Sequence, residues 1–187
     1  MRRFTVLLAI LFMLLPFNLN AQNVWVESQN MVSSGVAPAT QMNVSISKNY
    51  SEHFGVFLWS IVSEGWSESI VGGVWLPSSH YEFSLGAGLE SNDNPARALG
   101  SVFVSYGKSS LYVAGEQGGS GHWFVAQGNY KLSGRIGVGF RGQHNVGLGP
   151  RVEFNPTRHF KLWAVPYTLG LGLVPDGKTV FGLRFIL

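Results

Sequence analysis

Tyr81-Glu82-Phe83-Ser84-Leu85-Gly86-Ala87-Gly88-Leu89-Glu90 is the stretch whose reading decides the architecture. Tyr81, Phe83, Leu85, Ala87 and Leu89 share one parity, and Glu82, Ser84, Gly86, Gly88 and Glu90 share the other. Successive side chains of a strand point to opposite faces, so this is a strand with one apolar face and one small or charged face. A helix would mix the two classes, and each interior glycine would cost it about 1 kcal/mol relative to alanine.

The same period recurs downstream. Ile136, Val138 and Phe140 alternate with Arg135, Gly137, Gly139 and Arg141. Val146, Leu148, Val152 and Phe154 alternate with Gly147, Gly149, Arg151 and Glu153, and Phe181, Leu183, Phe185 and Leu187 with Gly182, Arg184 and Ile186. Turn chemistry separates these runs: Lys48-Asn49-Tyr50-Ser51, Ser63-Glu64-Gly65, Pro77-Ser78-Ser79 and Ser91-Asn92-Asp93-Asn94-Pro95, then Gly118-Gly119-Ser120-Gly121, Asn155-Pro156-Thr157 and Pro175-Asp176-Gly177-Lys178. Such residues supply positive φ, a preset φ or local side-chain hydrogen bonds. Counting between turns predicts eleven strands from residue 39 onward, and Val24-Trp25-Val26 adds a twelfth. Ten and eight strands are the alternatives. Pro150 and Pro166 fall inside predicted strands and mark bulges or breaks. In 54–62 and 70–76 both faces are apolar, so period alone assigns no inward side there.

Charged residues make up 12% of the chain, against about 25% in a soluble domain. No apolar stretch beyond the N-terminal region is long enough for a membrane helix, which needs about 20 residues. A closed sheet in lipid reconciles the two facts, because closure pairs every backbone N–H and C=O. Tyr81, Tyr106, Tyr130, Trp59, Trp66, Trp75 and Trp163 lie near predicted strand ends, where aromatic rings form girdles at membrane interfaces.

Residues 1–21 have the pattern of a secretory signal peptide. Arg2 and Arg3 precede an apolar run from Val6 to Phe17, and Asn18-Leu19-Asn20-Ala21 ends in a small residue suited to cleavage. Residues 22–187 are then expected to form one barrel domain. Arg2 and Arg3 leave with the signal, so the thirteen basic and ten acidic residues come close to balance. The pI of 9.3 therefore carries no nucleic-acid prediction. Without cysteine there is no disulfide framework or thiol chemistry.

These features together resemble the bacterial outer-membrane β-barrel superfamily over all of 22–187. The resemblance implies an antiparallel up-and-down transmembrane barrel with outer-membrane lipid and the barrel assembly machinery as partners. Proteins of that group usually end in an aromatic residue; here the last residue is Leu187, and Phe185 lies two positions earlier on the same face.

Function must come from a site, because the fold hosts many. A Ser and a His two apart share one strand face, and outer-membrane lipid hydrolases use the order His-x-Ser. Ser51/His53, Ser78/His80 and Ser120/His122 all have the reverse order beside turns. The best catalytic candidate is Ser120 with His122 and Glu116 as orienting carboxylate, making a lipid hydrolase the enzymatic alternative. No metal-ligand spacing is present, and the glycines do not form a phosphate loop. No cofactor and no metal are expected.

The stronger constellation is the polar face. Glu82, Glu90, Glu116, Arg135, Arg141, Arg151, Glu153 and Arg184 fall on the predicted inward side, acids mostly from earlier strands and bases from later ones. In a closed barrel they would meet across the lumen. That predicts a narrow channel for small solutes or a structural membrane protein locked by salt bridges. A soluble periplasmic barrel with an apolar ligand is a further alternative.

Overall fold

The computed structural model describes residues 23–33, 36–167 and 178–187. The predicted signal segment 1–21 and residues 175–177 of a predicted turn lie outside them. Twelve strands follow in order: β1 (Asn23–Ser33), β2 (Val36–Asn49), β3 (Phe54–Ser63), β4 (Trp66–Ser78), β5 (Tyr81–Glu90) and β6 (Ala96–Tyr106). The second half is β7 (Ser109–Gly118), β8 (Gly121–Lys131), β9 (Ile136–Gln143), β10 (Gly147–Thr157), β11 (Phe160–Tyr167) and β12 (Lys178–Ile186). Each strand pairs antiparallel with its sequence neighbours. β1 pairs with β12 from Trp25↔Ile186 to Val32↔Thr179, closing the barrel. The Leu187 N–H, donating to the Val24 carbonyl at 2.9 Å, completes the seam.

The twelve-strand expectation holds, and ten and eight fall away. Connections among the described residues are short. The β3–β4 hairpin turns on Glu64-Gly65, with Gly65 at φ 76°, a left-handed conformation that glycine adopts without steric cost. Pro150 and Pro166 sit at a break. The β10–β11 ladder runs from Thr157↔Phe160 to Val152↔Ala164 and stops before Pro150 and Pro166, which the same register would set opposite one another. Neither proline has an N–H to contribute.

The barrel is inside out relative to a soluble protein. Leu85 is 75% exposed and Val152 52%, whereas Arg151 is 2% and Glu27 1%. The apolar parity of the quoted β5 strand faces outward and its Glu82/Glu90 parity inward. Trp75, Tyr81, Tyr106 and Tyr130 are exposed on the outer wall near the end that carries Leu187, hereafter the terminal end. Trp59, Trp66 and Trp163 are not girdle residues: the strand parity of their buried neighbours Ile61, Glu68 and Val165 turns them inward.

That inward turn explains why β3 and β4 are apolar on both faces. Their outer face belongs to the exposed apolar wall, and their inner face packs inside the barrel. Ile61, Ile70, Leu99, Ala114 and Val125, from β3, β4, β6, β7 and β8, are each at most 5% exposed. Inward glycines make room for this lobe. A Cβ on Gly72 or Gly86 would lie within 2.8 Å of the Phe57 ring, so that ring lies flat across the inner faces of β4 and β5. On the opposite wall the Trp163 ring covers Gly182 in the same way.

Candidate functional site

The lumen contains two ionic networks on opposite walls. The first lies at the far end, where the turns after β5 and β7 come together. Arg97 on β6 donates from Nε to Glu116 Oε2 at 2.7 Å and from Nη1 to Glu90 Oε2 at 2.9 Å. Glu68 Oε2 stands 2.7 Å from the same Nε as an ion pair, and neither Glu68 oxygen accepts a hydrogen bond among the described residues. Arg97 Nη1 also donates to Ser120 Oγ at 2.8 Å, and the Ser120 backbone N–H donates to Glu90 Oε1 at 2.6 Å. Three carboxylates thus share one guanidinium, which lies 5.7 Å from the Trp66 ring centre. The Arg97 side chain fits because it passes over Gly118, where a Cβ would approach it to 2.9 Å.

The second network runs over β9, β10, β11, β12 and β1. Arg184 Nε donates to Glu27 Oε2 at 2.7 Å, and Trp163 Nε1 donates to the same oxygen at 3.0 Å by reaching over Gly182. Glu153 accepts from Arg151 Nη2 at 3.2 Å and pairs with Lys161 Nζ at 2.9 Å. The guanidinium carbons of Arg151 and Arg141 lie 4.2 Å and 5.0 Å from the Trp163 ring centre. Arg141 hydrogen-bonds Gln127 and Gln143 and forms no ion pair among the described residues. This wall therefore carries Arg141, Arg151, Lys161 and Arg184 against Glu27 and Glu153. The buried cluster Trp163, Val165, Tyr167 and Val180 narrows it toward the far end.

Of the residues singled out in the sequence, Glu82, Glu90, Glu116, Arg141, Arg151, Glu153 and Arg184 lie on inward strand positions. Arg135 does not; it is exposed in the β8–β9 turn, before the first residue of β9. Glu82 lines a recess of about 490 Å³ at the terminal mouth, with Asn49, Glu52, His53, His80 and Phe103. The acids and bases do not meet across the lumen. The ionic contacts instead run along each wall, through partners that the sequence reading missed: Arg97 and Glu68 on one side, Glu27 and Lys161 on the other. Arg97 is the second residue after the Ser91–Pro95 turn, and Glu68 lies two residues before the stretch 70–76 that is apolar on both faces. For Glu27 a usable signal existed, because Trp25, Glu27 and Gln29 share one parity.

The catalytic candidate is not assembled. Ser120 and Glu116 come together on Arg97, but His122 projects from the outer face of β8, where its ring stacks on His144 with centres 4.6 Å apart. Ser120 and His122 fail to share a face because Ser120 belongs to the turn and β8 begins at Gly121. Among the described residues no group of three or more His, Asp or Glu side chains is placed to hold a metal ion.

No protein-family model and no curated protein sequence matches this chain. Solved structures do match in shape. The KdgM porin superposes with a TM-score of 0.59 at 12% identity, over 87% of this chain and 98% of that one. The NanC porin gives 0.53 at 10% identity over the same shares. Outer membrane phospholipase A from Escherichia coli gives 0.55 at 11% identity, covering 92% of this chain and 93% of that one. At such identities the likeness speaks to the fold alone: a closed, twelve-stranded antiparallel β-barrel similar in shape to these outer-membrane proteins.

Proposed function

We propose that this protein is a narrow, non-enzymatic channel of the outer membrane whose passage favours small anionic solutes. The observation that carries this reading is the state of Lys161 and Arg184. Both face the lumen, and their side chains keep 24% and 27% exposure. Lys161 and Arg184 are register partners close to the terminal rim, so this exposure is to water at that mouth of the lumen. The excess of basic over acidic groups on that wall, with Arg141 in no ion pair among the described residues, sets the preferred sign of the solute. KdgM, a structural neighbour, is known in complex with oligogalacturonate, whose repeating carboxylates belong to the same class. In this reading residues 1–21 direct export, the assembly machinery inserts the barrel, and lipid covers the outer wall. The outward His122 disfavours the hydrolase alternative.

The test is reversal potential in a salt gradient across a planar bilayer. The wild type is expected to prefer anions, and Arg141→Gln and Lys161→Gln to move the potential stepwise toward cations. Glu153 keeps Arg151 when Lys161 is replaced, so the second variant leaves no buried carboxylate unpaired. Conductance indifferent to both substitutions would refute the assignment of the passage to this wall. A folded barrel without conductance would leave the salt-bridged structural role in its place.

A further inference from the structure

We propose that Trp59 and Trp123 form the constriction that sets the size limit of the lumen, an inference that rests on the channel reading. Trp59 lies on β3 and Trp123 on β8, five strands apart in a ring of twelve. Their ring centres are nevertheless 6.4 Å apart, with planes inclined at 51°. A circular twelve-strand barrel with strands about 4.8 Å apart and tilted about 40° would hold such strands roughly 23 Å apart. Two indoles cannot bridge that gap, so the cross-section is compressed along the line from β3 to β8.

The pair stands at a boundary. On one side lies the packed lobe of β3–β8, with Ile70 and Ala114 at 0% and 1% exposure. On the other side lie the polar residues of β9–β2, including Ser45, Gln143 and Arg184, which keep partial exposure. Each indole is supported from behind. Trp59 is paired in register with Ile70, and Trp123 with Glu116, which Arg97 holds. A solute moving along the polar wall passes the edges of two rings that the lobe prevents from turning away. Closely packed side chains rest in discrete arrangements and do not yield continuously.

The experiment measures single-channel conductance and vesicle swelling with neutral solutes of graded size, for wild type, Trp59→Ala, Trp123→Ala and the double variant. Folding of each is checked by the shift of its band on boiling. A second readout needs no conduction: tilted indoles at this separation couple excitonically and give a paired far-ultraviolet circular dichroism signal. Either single substitution should abolish that couplet. Conductance should rise severalfold in each alanine variant, with the swelling limit moving to larger solutes, and Trp59→Phe should stay near wild type. A silent wild type that conducts once both rings are removed overturns the channel reading and leaves the two indoles as a closure of the lumen. A conducting wild type whose alanine variants keep its conductance and size limit overturns the constriction and leaves the channel standing. Silence in every variant overturns both.

Discussion

Arg97→Met is the substitution whose cost the structure specifies most fully. It removes the guanidinium that serves Glu68, Glu90 and Glu116, whose side chains are at most 2% exposed. Glu90 keeps the Ser120 backbone N–H and hydroxyl on its two oxygens. Glu68 and Glu116 have no comparable reserve: both Glu68 oxygens and Glu116 Oε1 already lack hydrogen-bond partners among the described residues. Removing one partner of a buried ion pair costs about 3–5 kcal/mol, because the charge left behind is neither hydrated nor compensated. Two carboxylates are stranded here, so the loss should fall at the upper end, about 4–5 kcal/mol. The assay is urea unfolding of the barrel refolded into lipid vesicles, followed by tryptophan fluorescence and by gel shift on boiling. Adding Glu68→Gln and Glu116→Gln to Arg97→Met removes the stranded charges and should recover at least about 2 kcal/mol of the loss. A cost below about 1 kcal/mol for Arg97→Met would place these groups in bulk water and refute the buried network. So would a triple variant no more stable than the single one.

Two further substitutions test the packing of the wall and its orientation in lipid. Gly182→Ala drives a Cβ into the Trp163 ring, which Arg151, Arg141 and the bond to Glu27 hold in place, so a loss of about 1–3 kcal/mol or more is expected in the same titration. Unchanged stability would show that the ring does not lie on Gly182. Leu85→Arg places a charge at mid-strand on the outer wall, where Leu85 is 75% exposed, and should cost about 2–4 kcal/mol in a bilayer. A neutral outcome in vesicles would mean that this face meets water.

Architecture was legible in the sequence wherever the two faces of a strand meet different media. In β5, β10 and β12 the outer face is apolar and the inner face carries charge or glycine, so alternation alone separates the two sets. β3 and β4 resisted because their inward face packs against the apolar lobe: Phe57, Trp59 and Ile61 alternate with Val56, Leu58 and Val62, and no contrast of polarity separates the sets. Loss of alternation was itself the signal of a filled half-lumen. Arg135 was misplaced for the opposite reason. Its parity matched Arg141, but Leu132-Ser133-Gly134 turns the chain before β9 begins at Ile136. Partner choice was the least legible property. It depends on shear and on side-chain reach across neighbouring strands, neither of which alternation encodes.

The arrangement of contacts separates what holds the barrel from what limits its lumen. Among the described residues the ion pair Arg151–Glu153 lies within β10, and each of the others joins strands no more than two positions apart: Arg97 to Glu68, Glu90 and Glu116 on β4–β7, and Glu153 to Lys161 or Glu27 to Arg184 on β10–β1. Such pairs run along the wall, assisted by inward glycines that let Arg97 and Trp163 lie flat. They neutralise buried charge without drawing opposite walls together. The Trp59–Trp123 contact spans five strands and is apolar, so it brings the walls together without adding to either ionic network. Substitutions in the ionic networks should therefore act first on unfolding, and substitutions in the indole pair first on passage. Finding both properties altered together by Trp123→Ala would mean that Glu116 depends on the indole as much as on Arg97, and that the two systems are one.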